Sequence, residues 1–322
     1  MCYNSNIVCI SVRGLLIMID YDNLLKKIPR VKKILDDGSN SNLYHYTKPE
    51  KLLNILESGT IRFSNALYLN DKEEVTYSYK LIINLIDEMP ELNEKLFSRV
   101  KEHFNKKYKN IVSGGDTSGD KYEYYTISFS TDSDNLTLWN NYSKGQNYTG
   151  YNIGFCKKDL IADMEKQGFH SIYGNIIYKK ELQITVLKLI FDKWNKRFEK
   201  VLQGKKTQTN NDKLFDILFE LIDILSIISL FFKNPHFKDE KEYRIIFINS
   251  SNINAFKQTK IFEKNGLFIP YIEYRFLKKT VSSINIGPTL EENIFYTSTC
   301  RMLSNFGYEK KTINRSKIPL RY

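Results

Sequence analysis

Lys233-Asn-Pro-His-Phe-Lys-Asp-Glu-Lys-Glu-Tyr-Arg-Ile-Ile-Phe247 is a turn-rich approach that runs directly into a strand. Asn, Pro and Asp punctuate its first half. Tyr243 to Phe247 is aromatic and β-branched enough for a strand buried on both faces. In an extended chain residues two apart project to the same side, which places Glu240 and Glu242 together at the mouth of that strand. Carboxylates held so close raise each other's cost of ionisation, and a fold keeps them only where cations or a ligand relieve the charge. The alternative is a solvated Glu240 on the rim, with Glu242 alone placed and paired to Arg244.

Upstream of this stretch, residues 180–202 have the period of a basic amphipathic helix, followed by a loop at 204–212. Lys213 to Phe232 is long enough to cross a bilayer. Asp216, Glu220, Asp223, Ser226 and Ser229 recur on one helical face, however, and three carboxylates in hydrocarbon would cost several kcal/mol. The expectation is a core helix with one wet face and no membrane span. Ile7 to Ile19 is short, is interrupted by Arg13 and lacks a small-residue cleavage site, so it makes a poor signal peptide. Residues 1–42 are expected to be an N-terminal extension and a helix disturbed at Pro29, with Met18 the working start of translation.

Leu43-Tyr-His-Tyr-Thr47 reads as a short strand with His45 facing away from Tyr44 and Tyr46. Thr47 and Glu50 have the spacing of a capping box, Pro49 suits the first turn, and Gly59 stops a helix that buries Leu52, Leu53, Ile55 and Leu56. His45 thus precedes a helix N-terminus, where it is either structural or part of an anion site. Thr60–Ser64 is a strand, Asn70-Asp71 a loop, 72–109 helical, and 113–120 an exposed connection. Tyr122–Ser130 is a strand with Ser128 and Ser130 on one face, free to position a ribose or phosphate or else bonded to nearby backbone. Asp134 and Asn135 start a short helix carrying Trp139 and Tyr142 on one face, as core or as a stacking surface. Strands at 150–155 and 171–178 flank a helix at 159–168. A hairpin about Asn265-Gly266, a strand at 282–286, a helix from 289 to 307 and a strand near 311–316 complete the chain. The elements make residues 43–322 a single α+β domain with helical insertions at about 72–109 and 180–232.

Composition is that of a globular protein, with 42% hydrophobic and 26% charged residues in 322. The 48 Lys and Arg against 37 Asp and Glu give a formal charge of +11, which suits an anionic partner such as nucleic acid and equally a Lys-coated soluble surface. Cys2, Cys9, Cys156 and Cys300 are too scattered for zinc or a disulfide framework, and a reducing cytoplasm fits them. His45, His103, His170 and His236 lack metal-ligand spacing. No metal is therefore expected.

The LYHYT segment, the serine-tipped strand with Trp and Tyr after it, EKEYRIIF, and the ending from INIGP to INRSKIPLRY resemble a widespread bacterial family catalogued as a domain of unknown function, over about Leu43 to Tyr322. More distantly, His, then Ser/Tyr, then Glu on successive strands resembles the ADP-ribosyltransferase fold, in particular its toxin branch that modifies DNA and RNA. That resemblance implies a split mixed or antiparallel sheet and NAD as substrate. It also implies transfer of ADP-ribose to a nucleic-acid or protein acceptor, in the setting of a toxin or an anti-phage defence effector. Carried onto matching positions, it makes Glu242 the catalytic acid beside the nicotinamide ribose and Glu240 the residue that orients the acceptor. His45 with Tyr46 and Thr47, Ser130, Arg244 and either Trp139 or Tyr142 fall on the NAD side. Ser128-Phe-Ser130 departs from the usual Ser-Thr-Ser, and the stacking ring is left open between the two aromatics. The alternatives are a nucleotide- or ligand-binding sensor without turnover and a metal-dependent nuclease using Asp71, Glu240 and Glu242.

Overall fold

The computed structural model describes residues 7–12, 15–20, 25–39, 41–68, 73–113, 123–142, 150–169, 171–204, 207–249, 258–264, 266–289 and 292–319. In chain order the strands and helices are β1 Ile7–Val12, β2 Leu15–Asp20, α1 Pro29–Leu35, β3 Asn42–Thr47, α2 Pro49–Ser58, β4 Thr60–Asn65, α3 Glu73–Asp87, α4 Glu94–Val112, β5 Glu123–Ser130 and α5 Leu136–Tyr142. They continue as β6 Tyr151–Cys156, α6 Lys157–Lys166, β7 Ser171–Asn175, α7 Lys180–Leu202, α8 Gln208–Ser229, β8 Glu242–Asn249, β9 Lys260–Lys264, β10 Leu267–Arg275, β11 Val281–Ile286, α9 Glu292–Asn305 and β12 Thr312–Arg315.

The architecture is mixed α and β, with one open ten-stranded sheet beside a separate β1–β2 hairpin. Among the described strand pairs only β11–β12 is parallel. β5 is the hub. One of its edges pairs β8 along its whole length, from Glu123 opposite Asn249 to Ser130 opposite Glu242, and β7 lies beyond β8. Its other edge is shared. β3 meets it only at Tyr44 opposite Ser130, whereas β4 meets it at Ser64 opposite Thr126 and Asn65 opposite Tyr125. Two branches part from there, β3–β6–β11–β12 and β4–β10–β9. No pairing between described strands spans residues 127–129 on this edge.

β8 shows why the sheet is central. All eight of its residues are buried, and period-two geometry sends alternate side chains into different cores. Ile246 and Ile248 pack with a helical layer containing Leu96 and Phe104 of α4, Leu187 and Phe191 of α7, and Leu221 and Leu225 of α8. Tyr243, Ile245 and Phe247 pack on the other face with Leu52 and Leu56 of α2, Leu160 of α6 and Leu303 of α9. Each fully buried Ile or Phe of this kind contributes about 1.5–3 kcal/mol of transfer free energy. Glu242 and Arg244 head the row that faces the helical layer.

Several expectations are corrected. The N-cap of α2 is Lys48, with no side-chain bond, so Thr47 and Glu50 form no capping box; Thr47 is spent as the last residue of β3. Gly59 does end α2, at φ 64, a conformation that favours a residue without Cβ. Leu53 is exposed and Ile55 half-buried, because the apolar stripe is narrower than its leucines suggest. The periodic stretch 72–109 is two helices, since Pro90 cannot continue an α-helix, and Asn93 caps the second by accepting from the Lys95 amide. α8 begins inside the expected loop, because the Thr207 hydroxyl caps it by accepting from the Asn210 amide. Its polar stripe is wet only at the start: Glu220 pairs with Arg197 at 2.6 Å and Lys27 at 3.2 Å, while Ser226 and Ser229 are buried. No described helix is long and apolar enough to cross a membrane. Met18 lies inside β2 rather than at the head of a polar helix. The loop Asn70-Asp71, most of the 113–120 connection and Asn265 of the hairpin turn lie outside the described residues.

Candidate functional site

The turn that carries the two glutamates is not a strand. Pro235–Glu240 is a 3₁₀ helix, capped by the Asn234 side chain accepting from the His236 amide at 3.1 Å. Lys241 then stands at φ 47, the one non-glycine residue with positive φ among those described. Such a conformation costs about 1–2 kcal/mol in an L-residue, and the surroundings hold it. The Lys241 carbonyl accepts from the Thr131 amide at 3.0 Å, and its ammonium pairs with Asp132 at 2.8 Å. The turn folds Glu240 back beside Glu242. Their proximity therefore comes from a left-handed residue and not from strand alternation, and Glu240 is largely enclosed, its side chain 19% exposed.

Lys233, at the end of the segment leaving α8, lies between the acids. Its ammonium donates to Glu240 Oε2 at 2.6 Å and Glu242 Oε2 at 3.1 Å. Glu242 Oε1 takes the Ser128 hydroxyl at 2.5 Å and the Arg244 guanidinium through Nε at 2.8 Å and through its second terminal nitrogen at 2.6 Å. Arg244 also donates to the Leu230 carbonyl at 2.5 Å, tying sheet to helical layer. Burial alone would push the Glu242 carboxyl up; Arg244 and then Lys233 outweigh it and hold the group well below the usual carboxylate range. Glu240 goes the other way. Burial raises it, Lys233 offsets part of the rise, and the Glu242 charge adds to it. The environments thus separate two neighbouring carboxyls into a firm anion and a group disposed to take a proton.

His45 reaches the site from the opposite side of β5. Register puts Tyr44 level with Ser130 and Glu242, so His45 projects to the other face, where its ring meets Phe129 edge-on at 5.8 Å. Its Nδ1–H donates to the Ser128 carbonyl at 3.3 Å, on the stretch of β5 edge that neither branch pairs. Ser128 therefore joins both ends of the constellation, by its carbonyl to His45 and by its hydroxyl to Glu242. Burial lowers the imidazole's affinity for a proton, the Ser128 carbonyl raises it, and the charge of Lys51 lowers it again.

The remaining expected binding residues divide by exposure. Thr47, Ser130 and Arg244 are 2%, 2% and 1% exposed. Ser130 donates to the Glu240 carbonyl at 2.9 Å, so its hydroxyl fixes the turn and is not turned to a ribose. The guanidinium of Arg244 is likewise spent internally, on Glu242 and Leu230. Tyr46 is 4% exposed; its hydroxyl donates to the Asp132 carbonyl at 2.8 Å and accepts from the Asn135 amide at 3.0 Å. Trp139 is core. It is 2% exposed, donates to Asp134 at 2.8 Å, meets Tyr46 edge-on at 4.6 Å, and packs so closely on Gly287 that a Cβ there would stand 3.0 Å from the indole. Tyr142 is different, being 37% exposed. Burial and then the charges of Glu240 and Glu242 hold its phenol above the ordinary tyrosine value, which places the ring within the field of both acids. Of the two candidate aromatics, Tyr142 is the accessible one.

Three contributors escaped the sequence reading. Lys233 opens the decisive stretch and is the cation that two adjacent acids demand; that demand was its signal. Ser128, rather than Ser130, bonds the catalytic candidate. The Tyr178 hydroxyl accepts the Glu242 amide at 2.9 Å, a role with no local pattern behind it. Among the described residues no group of three or more His, Cys, Asp and Glu side chains could hold a metal ion, and Asp71 lies outside them.

Residues 138–245 match the model of a family described as protein of unknown function (DUF2971). The matched stretch holds Trp139, Tyr142, Lys233, Glu240, Glu242 and Arg244, and fits the expected likeness to a domain-of-unknown-function family. No curated protein and no solved structure matches the chain.

Proposed function

We propose that this chain is an NAD-dependent ADP-ribosyltransferase-like enzyme, with Glu242 as its catalytic carboxylate. The observation that carries the reading is the path His45–Ser128–Glu242 across three neighbouring strands, β3, β5 and β8, at the point where the sheet branches. This is the order of residue types that the resemblance implies, and the branching supplies a split in the sheet. Four side chains do the work. Among the described residues Glu242 Oε2 takes a single donor, Lys233, and so keeps a lone pair for a ribose hydroxyl. Its charge is fixed before any ligand arrives and would favour the positive character that develops on the ribose as the glycosidic bond to nicotinamide breaks. Glu240, inclined to protonation, is suited to take the proton of the acceptor nucleophile as that atom bonds to the same ribose carbon. Tyr142 offers the ring for the leaving nicotinamide.

A second reading, a nucleotide-binding module without turnover, has its own support: Glu240 and Glu242 are balanced by Lys233 and Arg244, as in a purely structural network. Incubation with NAD and mixed nucleic-acid and protein acceptors, followed by mass spectrometry, separates the two. Covalent ADP-ribose on an acceptor, absent with Ser128→Ala and Glu240→Gln, is the expected result. Calorimetric NAD binding with no product would leave the second reading standing.

A further inference from the structure

Between the two branches that leave β5, cations converge from three elements. Lys48 precedes α2, Lys51 lies in its first turn, Arg62 is in β4 and Lys264 ends β9; Lys48, Lys51 and Arg62 are exposed. Partial burial and then Lys264, Lys48 and Arg62 hold the Lys51 ammonium below the usual lysine range, against the pull of Glu50. Lys51 in turn acts on His45, so the cluster adjoins the unpaired stretch of β5. Arg62 is seated over two rings, 5.4 Å from the centre of Phe262 and 4.6 Å from that of Tyr271. Glu273 stands opposite Arg62 in register but is bonded to Lys260 at 2.6 Å.

Like charges gathered around one ammonium are unfavourable until an anion joins them. The spacing says what kind. Arg62 lies opposite Glu273, and Lys264 lies opposite Leu267 on the same strand, a separation of roughly 20 Å along extended chain. That is a run of several phosphates, longer than one diphosphate. A guanidinium held flat on aromatic rings also offers a stacking and hydrogen-bonding platform to bases and phosphates.

We propose that Lys48, Lys51, Arg62 and Lys264 form a binding surface for the phosphate backbone of a single-stranded nucleic acid, leading it to the gap where His45 meets Ser128. The proposal rests on the catalytic reading only for what the strand is brought to; binding itself needs neither NAD nor turnover.

The test is fluorescence anisotropy of a labelled RNA or DNA strand of roughly 20 nucleotides with the full chain, without NAD, across a salt series. Expected are salt-dependent binding and a loss of at least about tenfold in Lys51→Glu/Arg62→Glu, with the log–log salt slope falling by about 1.4 for two lost contacts. The matched charge change Lys188→Glu/Lys196→Glu, at exposed positions of α7, should leave affinity within about twofold, as expected for an interaction governed by local phosphate contacts. Equal loss in both variants, unchanged binding in the first, or a loss confined to anionic vesicles or to NAD would overturn the proposal. If the first variant fails to fold, Lys48→Gln/Lys264→Gln replaces it under the same criteria. Nicotinamide release by the wild type is read separately, so failure of strand binding and failure of catalysis remain distinguishable.

Discussion

Replacing Lys233 by Met removes the cation that two carboxylates share while keeping most of its apolar stem. The Lys233 side chain is 9% exposed and those of Glu240 and Glu242 are 19% and 4% exposed, so water cannot take over. Breaking a buried ion pair by deleting one partner costs about 3–5 kcal/mol. Arg244 still neutralises Glu242, which places the cost near the lower end, and at roughly 2 °C per kcal/mol the midpoint should fall by about 6 °C. The loss should depend on pH with a definite sign. Glu240 is raised in the folded protein, so its contribution favours folding below its unfolded value and fades as pH rises through the folded one. Glu242 is lowered, so its contribution is present above the unfolded carboxylate value and is lost as pH falls through the folded one. Without Lys233, Glu240 rises further, and Lys233→Met should be markedly less damaging at pH 5 than at pH 8. Adding Glu240→Gln should recover about half the loss at pH 8, giving a coupling energy on the order of 1.5 kcal/mol. Urea unfolding of the four proteins of this cycle at both pH values measures it. A single variant within 1 kcal/mol of wild type, or a loss that grows toward acid, would refute the shared-cation argument.

Ser128→Ala removes a hydrogen bond to a charged acceptor and should cost about 1.5–3 kcal/mol in denaturant unfolding, with nicotinamide release falling alongside. Lys241→Gly should be more stable than Lys241→Ala by about 1 kcal/mol; both lose the pairing with Asp132, so the difference reports the left-handed backbone, and equal stability would mean that the turn is not held there in solution. Trp139→Ala should cost about 3–5 kcal/mol as a buried cavity. Tyr142→Ala, by contrast, should unfold within about 1 kcal/mol of wild type yet weaken NAD binding measured by calorimetry; the opposite pattern would exchange the roles of the two rings.

What the sequence could reveal follows from how local each cause is. Tyr243 to Phe247 announces a doubly buried strand by composition, and the residues around 180–202 announce a helix by period, because both signals lie in contiguous side chains. The break at Pro90 and the caps at Asn93 and Thr207 are equally local and could have been read more closely. The conformation of Lys241 has no such mark: a Lys adopts positive φ here because Thr131 and Asp132, from another part of the chain, hold its carbonyl and its ammonium. The burial of Trp139 and Arg244 depends on Gly287 and Leu230, which arrive from distant segments. The branching at β5 is a matter of three strands competing for one edge, and no single strand carries its trace. Pairing two acids was therefore legible as a demand for cations, whereas the identity of Lys233 and the route from Ser128 to His45 required the fold.

The most direct measurement of the central claim is the rate of nicotinamide release at saturating NAD, wild type against Glu242→Gln, with folded fraction matched by circular dichroism. The account expects the neutral, near-isosteric side chain to lower the rate by about 10²–10³-fold while NAD affinity changes far less. Equal rates in the two proteins, or no release by the wild type with any acceptor, would contradict it.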